Sequence, residues 1–313
     1  MDINKNKKIC IVGVGKHSYI NLIPLLKKMN FKIVGLVSRS TKLYNRHFKR
    51  YISLNLAIKQ LPKDTIYLIS TPPRTHYPIL KKLLINNKNV LVEKPLVVNL
   101  YEVFQLHKLN LKSKNFFYEM FMYKFTSCYK KVINFYRDNI NDIKLIELTF
   151  LLPSYPKSSF RDGISLEDSC LFDIGSYVFD LSMELGNKIE NLKILNTSFE
   201  ENRLVRIQFN FQINSINLLA DIGLHTEYKN YIKVIKKDQS YIIFDKIFYG
   251  KKTVKEIQIS PSKNIFYYAD NNGYEKMFNQ IRGKKFFKDK LFYYIKLKKI
   301  YEMFNQIKKK IEN

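Results

Sequence analysis

The stretch that decides the fold is KICIVGVGKHS, residues 8–18. Residues 9–12 are apolar without interruption, which indicates a short strand buried on both faces. Gly13 and Gly15 follow directly, and YINLIPLLKKM at residues 19–29 has the apolar spacing of a helix. A buried strand, a glycine turn and a helix make the first step of an alternating α/β pattern.

The same alternation continues to about residue 120. Further strands are predicted in KIVGLVS, DTIYLIS, NVLVE and FFYEMF, and helices in HYPILKKLLINN and YEVFQLHKLNLKS. Buried strands separated by helices of about ten residues predict a doubly wound parallel sheet, the Rossmann arrangement. We assign residues 1–118 to this dinucleotide-binding type of domain.

The pattern changes in the second part of the chain. In LVRIQFNF, residues 204–211, apolar and polar side chains alternate, which indicates a sheet with one covered face. SINLLADIGL, NYIKVIKK, SYIIFDKIFYG and TVKEIQIS are predicted to be neighbouring strands. Residues 119–313 are therefore expected to form an α+β domain with a largely antiparallel, open-faced sheet and a helical, lysine-rich tail from residue 274.

The composition excludes several classes of protein. The 313 residues carry a formal net charge of +27, but the lysines are scattered, and zinc-finger spacing, RNA-binding motifs and an arginine-rich arm are absent from the sequence. A specific nucleic-acid partner is therefore not predicted. The lysine-rich tail leaves contact with an anionic surface open as an alternative to helices that dock on the body of the protein.

The cysteine, histidine and hydropathy patterns indicate which bonds, metal sites and membrane segments to expect. The three cysteines are widely spaced, which predicts neither a disulfide framework nor a CxxC redox motif. The five histidines form no paired ligand set, so we predict no metal. No apolar run has the length of a signal peptide or a transmembrane helix, and a cytoplasmic location is expected.

The glycine turn is the first candidate site. Gly13 and Gly15 lie where the first two glycines of GxGxxG allow a tight turn and a close approach of the backbone to a pyrophosphate. Ser18 stands in place of the third glycine, so the fingerprint is incomplete and an ordinary glycine turn is the alternative. The position after the first strand of an α/β pattern favours a dinucleotide.

The end of the second strand is expected to contact the adenosine ribose. Many NAD sites have a carboxylate there, whereas this chain has Ser38 and Arg39. Arg39 could accept a 2′-phosphate, which favours NADP over NAD without deciding between them. The alternatives are an arginine that is merely solvated or one that stacks on the adenine.

Two further stretches follow predicted strands of the parallel sheet, where ligands bind in such folds. STPPRTH supplies Thr71, Pro72 and His76, and His76 is predicted either to line the cofactor or to pack. VLVEKPL supplies Glu93 and Lys94, and the following proline biases Lys94 towards an extended backbone. The alternative for this charged pair is a simple salt bridge at the sheet edge.

The stretch SLEDSCLFDIGSYVFDL, residues 165–181, contributes candidate catalytic residues. Asp173 and Tyr177 are four apart and would share one face of a helix capped by Asp168 or Ser169. A tyrosine near Lys94 would suit carbonyl reduction, because a nearby ammonium lowers a phenol pKa and makes Tyr177 a suitable acid or base. The alternative is a core tyrosine with its hydroxyl satisfied.

Together, GVGKHS, STPPRTH, VLVEKPL and LFDIGSYVFDL resemble the Gfo/Idh/MocA family, named for glucose–fructose oxidoreductase and inositol dehydrogenase. The resemblance covers nearly the whole chain. EMFMYKF at residues 119–125 and SFRDG at 159–163 further resemble the branch that contains glucose–fructose oxidoreductase and dihydrodiol dehydrogenase.

The resemblance implies roles for individual residues. Lys94, Tyr177 and Asp173 would be catalytic, and the same three residues with Arg161 would contact substrate. The residues implied to bind the cofactor are Gly13, Val14, Gly15, Lys16, His17, Ser38, Arg39, Thr71, Pro72, His76, Glu93, Lys94 and Lys124.

The function implied is an NAD(P)-dependent oxidoreductase that moves hydride between nicotinamide and a sugar or nucleotide-sugar carbon. A homodimer or homotetramer is implied as well, through the open face of the second sheet. Glu167, Asp168 and Ser169 stand where the family often has a glycine run, and we expect them to change the pocket. This departure motivates the alternative of a non-catalytic dinucleotide-binding regulatory or partner protein, whereas the retained Lys94 and Tyr177 argue against it.

Overall fold

The computed structural model describes residues 7–39, 48–112, 115–154, 163, 165–186, 189–282 and 290–312. The chain divides into two compact units. Unit 1 comprises Met1–Phe121 and Phe278–Ile295, and unit 2 comprises Met122–Met277 and Lys296–Asn313. Part of the tail thus belongs to unit 1, whereas the sequence pattern predicts all of it in the second domain. The predicted boundary after residue 118 stays a prediction.

Unit 1 is built on a parallel sheet. Its described strands follow the order β3-β2-β1-β4-β5-β6, and every neighbouring pair is parallel. The elements are β1 Lys8–Val12, α1 Ile23–Lys28, β2 Lys32–Val37, β3 Arg50–Tyr51, α2 Leu54–Gln60, β4 Ile66–Ile69, α3 His76–Ile85, β5 Asn89–Val92, α4 Leu100–Lys112 and β6 Phe117–Glu119.

The central strands of this sheet are buried on both faces, as their uninterrupted apolar runs predict. Ile9, Cys10 and Ile11 of β1 have no exposed surface, and the same holds for residues 90–92 of β5. The strand order reverses between β1 and β4, which pair from Ile9↔Ile66 to Val12↔Ile69. In open α/β sheets, the crevice at such a reversal is the usual ligand site.

Unit 2 is built on a second sheet, whose described strands follow the order β14-β13-β12-β11-β7-β10-β9-β8. β7 and β10 pair in parallel, and the other described neighbours are antiparallel. The elements are α5 Ser127–Asn139, β7 Ile143–Leu151, α6 Cys170–Asp173, α7 Gly175–Leu185, β8 Ile189–Glu200, β9 Arg203–Ile213, β10 Ile216–Gly223, β11 Lys229–Lys236, β12 Tyr241–Asp245, β13 Thr253–Ser260, β14 Asn264–Asp270, α8 Gly273–Arg282 and α9 Lys290–Glu312.

Helix α7 lies in the core of unit 2. Residues 175–183 of this helix are buried all round, which requires neighbours on every side. The Phe179 ring packs 5.5 Å from Phe209 of β9 and 4.9 Å from Phe304 of α9, measured between centroids. The alternation predicted for residues 204–211 places Phe209 on the covered face of the sheet. The predicted fold class, a Rossmann sheet followed by a largely antiparallel α+β unit, is confirmed.

Candidate active site

The glycine turn after β1 depends on the absence of one side chain. Gly13 has a φ of +93°, and a Cβ there would lie 2.4 Å from Thr71 Cγ2 and 2.9 Å from the Ser70 carbonyl oxygen. A Cβ on Gly15 would meet no heavy atom of the described residues within 4 Å. The first glycine is therefore required by the fold, whereas the second leaves open space above the turn.

Ser18, which replaces the third glycine of the fingerprint, is fully buried. Its hydroxyl donates to the Gly13 carbonyl oxygen at 2.9 Å and lies 2.9 Å from the Ser70 hydroxyl. The side chain therefore ties the helix that follows the turn to the ends of β1 and β4. The substitution is accommodated inside the turn and leaves the space above Gly15 unaffected.

The helix that follows the turn begins near Lys16. A π-helical turn, Ser18–Leu22, continues into α1, and the Tyr19 amide donates to the Gly15 carbonyl oxygen at 3.0 Å. Lys16 and His17 are exposed at this amino end. Helix amino ends favour anions, because their backbone N–H groups point outwards. The turn therefore fits the pyrophosphate of a dinucleotide.

Ser38 and Arg39 lie where β2 ends, and Arg39 is exposed. Arg50 of β3 holds their backbone: its Nε donates to the Ser38 carbonyl oxygen at 3.0 Å and its Nη2 to the Arg39 carbonyl oxygen at 2.7 Å. Arg50 was not predicted from the sequence, since the two-residue β3 is too short to show a period.

His76 joins two loops at the carboxyl edge of the sheet. The ring is fully buried, with Nδ1 2.7 Å from the Pro95 carbonyl oxygen and Nε2 2.8 Å from the Thr71 carbonyl oxygen. Burial lowers the pKa of His76, although hydrogen bonds to these two carbonyls oppose that shift. The ring thus connects the loop of Thr71 and Pro72 to the loop that follows Lys94.

Glu93 and Lys94 follow β5 at the same edge. A Glu93 carboxylate oxygen lies 3.1 Å from His17 Nε2, and His17 Nδ1 lies 3.2 Å from the Asn21 side-chain amide. Burial raises the pKa of Glu93, but the charge and hydrogen bond of His17 and the charge of Lys94 outweigh burial and lower it overall. Glu93 is thus ionised and paired with the glycine-turn helix, and Lys94 lies beside it.

Asp173 and Tyr177 lie in unit 2 on two short helices instead of the single predicted helix. α6 ends at Asp173, α7 begins at Gly175, and the Tyr177 amide donates to the Ile174 carbonyl oxygen at 3.0 Å. Ser169 caps α6 by accepting from the Leu171 amide at 3.2 Å, one of the two caps predicted. Both candidate side chains are buried.

Aromatic rings surround Tyr177. Its ring centroid lies 5.2 Å from Phe248, 5.6 Å from Phe150 and 5.8 Å from Tyr123. Its hydroxyl lies 3.7 Å from Met122 Sδ, a weak acceptor. These contacts hold the ring in one orientation, and the neighbour of the phenol oxygen inside unit 2 is the methionine sulfur.

Lys124 belongs to a cluster of charges in unit 2, in which Asp180 and Lys296 are buried and Lys124 and Glu184 are half-buried. Its ammonium lies 2.5 Å from Glu184 and 3.7 Å from Asp180, and Lys296 of α9 lies 2.5 Å from both carboxylates. Tyr123 donates to Asp180 at 2.5 Å. Burial lowers the pKa of Lys124, but the two carboxylates outweigh it and raise the pKa above its ordinary value. The predicted cofactor contact of Lys124 stays a prediction.

This cluster gives a pH-dependent contribution to stability. Burial raises the pKa of Glu184, but Lys124 and Lys296 outweigh it and lower the pKa from 4.5 to about 2. Because the folded pKa is the lower one, the contribution is present above about pH 4.5 and is lost as the pH falls towards about 2.

We expect Glu184→Gln to lower the free energy of unfolding at neutral pH by about 3 kcal/mol, because the buried Lys296 and the half-buried Lys124 lose a partner. The loss should shrink between about pH 5 and about pH 3, measured by urea unfolding at each pH. Glu190→Gln, at an exposed position of unit 2, is the control. Equal pH slopes for Glu184→Gln and the unsubstituted protein would contradict this assignment.

The carboxylates at residues 167 and 168, expected to change the pocket, have partners within unit 2. Glu167 accepts from Lys308 of α9 at 2.9 Å, and Asp168 accepts from the Ser165 hydroxyl at 2.9 Å. Arg161, the remaining predicted substrate residue, lies outside the described residues.

A comparison with protein-family models matches residues 7–121 to the oxidoreductase family with an NAD-binding Rossmann fold, Gfo/Idh/MocA. Over this segment, the chain resembles the Gfo/Idh/MocA oxidoreductase family. The resemblance predicted from the sequence is thereby confirmed. The segment contains the glycine turn, His76, Glu93 and Lys94.

Among curated proteins, the chain is similar to trans-1,2-dihydrobenzene-1,2-diol dehydrogenases. The protein of Xenopus laevis is 27% identical over 179 residues, and that of Xenopus tropicalis is 26% identical over 178. Each match covers 54% of this chain and 53% of the relative. The chain therefore spans about half the length of the curated relatives it matches.

Among solved structures, a 3-ketoreductase from Actinomadura kijaniata in complex with NADP and TDP-benzene has a TM-score of 0.80 at 15% identity, covering 94% of this chain and 95% of that one. An aldose–aldose oxidoreductase from Caulobacter crescentus has a TM-score of 0.77 at 14% identity, covering 96% and 97%. At these identities the likeness shows the fold alone.

Two further features concern metal binding and membrane insertion in the described residues. Within the ranges described, no three or more His, Cys, Asp or Glu side chains are grouped to hold a metal ion, and the absence of a metal stays a prediction. No helix of the described part is both long and apolar enough to cross a membrane.

Proposed function

We propose that the chain is an NAD(P)-dependent oxidoreductase that transfers hydride between a nicotinamide cofactor and a sugar or nucleotide-sugar carbon bearing a hydroxyl or carbonyl. One observation carries the proposal. Lys94 follows β5 at the carboxyl edge of a parallel sheet whose glycine turn, with Gly13 at a φ of +93°, has the form that accommodates a dinucleotide. The family match over residues 7–121 supports it.

The proposed cofactor residues lie along this edge. A nicotinamide dinucleotide, when bound, supplies the donor or acceptor of hydride. Its pyrophosphate would be held by the turn and the first residues of the following helix, and its ribose by Ser38 and Arg39. The full set we propose is Gly13, Val14, Gly15, Lys16, His17, Ser38, Arg39, Thr71, Pro72, His76, Glu93, Lys94 and Lys124.

The proposed catalytic residues handle the proton of the substrate hydroxyl. Lys94 would donate a hydrogen bond to the substrate oxygen and stabilise negative charge on it. Tyr177 would give a proton to that oxygen in reduction or remove it in oxidation, and Asp173 would orient the substrate. Arg161 would contact substrate as well. Lys94 and Tyr177 belong to different units, and their joint role rests on the sequence pattern.

We propose NADP as the preferred cofactor, because Arg39 stands where many NAD sites have a carboxylate. Arg39→Gln should weaken NADP⁺ binding by about tenfold to 100-fold through loss of a charged hydrogen bond to the 2′-phosphate. Binding of NAD⁺, which lacks that phosphate, should stay within about twofold. Calorimetric titration of both dinucleotides measures this, and equal losses for the two would contradict the assignment.

The substrate class is supported by the names of similar proteins. The curated relatives are named for a diol, and the structural neighbours include a 3-ketoreductase solved with a TDP derivative and an aldose–aldose oxidoreductase. All three names indicate oxidation or reduction at an oxygen-bearing carbon. The net charge of +27 would favour an anionic nucleotide sugar.

The test is a turnover screen with NADP⁺, NAD⁺ and their reduced forms. The panel consists of glucose, TDP-glucose, their 3-keto forms and trans-1,2-dihydrobenzene-1,2-diol, followed at the nicotinamide absorbance band. Turnover that needs both a dinucleotide and a panel member supports the proposal. Dinucleotide binding without turnover supports the second candidate, a non-catalytic dinucleotide-binding regulatory or partner protein, which the pairing of Lys124 with Glu184 favours.

We also propose a homodimer or homotetramer that associates through the open face of the eight-stranded sheet. This face carries paired charges, with Arg206 bound to Asp221 through two hydrogen bonds and Lys233 3.4 Å from Glu147. Sedimentation measures the mass of the assembly. The cytoplasmic location stays a prediction.

A further inference from the structure

Glu119 is a buried acid at the end of β6 to which the proposed mechanism gives no role. Glu119 is 6% exposed. β6 pairs with β5 so that Glu119 lies opposite Val92, and the Met120 amide donates to the Val92 carbonyl oxygen at 2.8 Å. The pairing sets the carboxylate beside the loop that carries Glu93 and Lys94.

The carboxylate contacts the backbone of that loop directly. Glu119 Oε1 accepts from the Leu96 amide at 2.7 Å, two residues beyond Lys94. Burying a carboxylate costs free energy unless the group is well hydrogen-bonded. A smaller neutral residue at this position would be buried at a lower free-energy cost. A charged acceptor also makes the stronger and more directional bond to an amide.

The loop is held from its other side as well. His76 Nδ1 lies 2.7 Å from the Pro95 carbonyl oxygen, the group adjacent to the Leu96 amide in the chain. One peptide unit is therefore held through its oxygen by α3 and through its nitrogen by β6. This unit is one residue removed from Lys94, so its orientation sets the direction in which the lysine leaves the backbone.

We propose that Glu119 is a positioning residue for Lys94: its carboxylate fixes the peptide between residues 95 and 96 and thereby the lysine that precedes it. The inference rests on the proposed function, in which Lys94 contacts the substrate oxygen. A catalytic group must be held close to its productive position, and small displacements lower turnover with little effect on binding elsewhere.

The chain offers a matched control in the same loop. Glu102 Oε2 accepts from the Val98 amide at 3.0 Å, the same kind of bond two residues farther from Lys94. Its own amide donates to Asn99 Oδ1 at 2.9 Å, which is a cap of α4. Loss of Glu102 therefore removes a carboxylate from the loop, whereas the peptide between residues 95 and 96 keeps its hydrogen bonds.

The experiment compares Glu119→Ala, Glu119→Gln, Glu119→Asp, Glu102→Ala and Lys94→Ala in the full chain with the panel substrate that turns over. Glu119→Ala and Glu119→Asp should lower kcat by about tenfold to 100-fold, and Glu119→Gln, which keeps an acceptor, should recover most of it. NADPH affinity should stay within about twofold in the Glu119 variants and in Glu102→Ala, and Glu102→Ala should keep kcat within about twofold.

Hydrogen exchange measured by mass spectrometry tests directly the hydrogen bond between Glu119 and the Leu96 amide. Residues 93–97 should exchange faster in Glu119→Ala and Glu119→Asp but not in Glu102→Ala. Glu119→Asp keeps the charge and serves where Glu119→Ala does not fold. If kcat falls no further in Glu119→Ala and Glu119→Asp than in Glu102→Ala, while Lys94→Ala is inactive, this inference alone is overturned. Unchanged turnover in Lys94→Ala, or no turnover with any panel member, overturns the proposed function and this inference with it.

Discussion

Lys94→Ala should lower kcat by about 10²- to 10³-fold, the range lost when one donor that stabilises a developing oxyanion is removed. The ammonium follows β5 at the carboxyl edge of the sheet, beside a glutamate that is already paired with His17. In the proposed reaction it stabilises the charge that develops on the substrate oxygen. Stopped-flow absorbance under single-turnover conditions measures the chemical step without product release.

The control for this substitution is Lys81→Ala, which removes the same charge from an exposed position of unit 1. It separates a local effect from the general attraction of anions by a chain of charge +27. NADPH affinity should stay within about tenfold in Lys94→Ala, since most of the proposed dinucleotide contacts are elsewhere. Equal kcat values for the two variants would contradict a catalytic Lys94.

Gly13→Ala and Gly15→Val should fail in different ways. At Gly13 the added Cβ meets Thr71 Cγ2 at 2.4 Å on a backbone with a φ of +93°, so both contact and conformation oppose it. We expect a loss of stability of about 2 to 4 kcal/mol together with loss of dinucleotide binding. Thermal unfolding and NADPH titration measure the two effects.

Gly15→Val should instead fold normally, because a Cβ there meets no described heavy atom within 4 Å. The side chain fills the open space above the turn, where the proposed pyrophosphate approaches the backbone. NADPH affinity should fall by about 100-fold with the melting temperature nearly unchanged. Tight NADPH binding by Gly15→Val would contradict a pyrophosphate at this turn, whatever the stability of Gly13→Ala.

Local patterns predicted much of the fold. The apolar runs of β1 and β5 identify strands covered on both faces, and the period of two in residues 204–211 identifies a half-covered sheet. β3, with two residues, was missed because so short a strand shows no period, and the seven-residue α2 that follows was missed as well. The break at Ile174 was missed as well, since a spacing of four residues is the same in one helix or in two.

Pairings between distant residues account for what the sequence did not predict at the site. Lys296 and Glu184 are 112 positions apart, and the bond between Glu119 and Leu96 spans 23. Nothing in the spacing of these residues indicates that they meet, because the sheet and helix packing bring them together. The glycine turn could be predicted because its chemistry lies within one short segment.

The most direct test of the central claim is a double-mutant cycle on kcat with Lys94→Ala, Tyr177→Phe and the combination. If both residues act on one substrate oxygen, the double variant should lose little more than the worse single variant, as groups that act as a unit do. Losses that multiply, or a Tyr177→Phe variant with undiminished kcat, would contradict the claim that this lysine and this tyrosine serve one reaction.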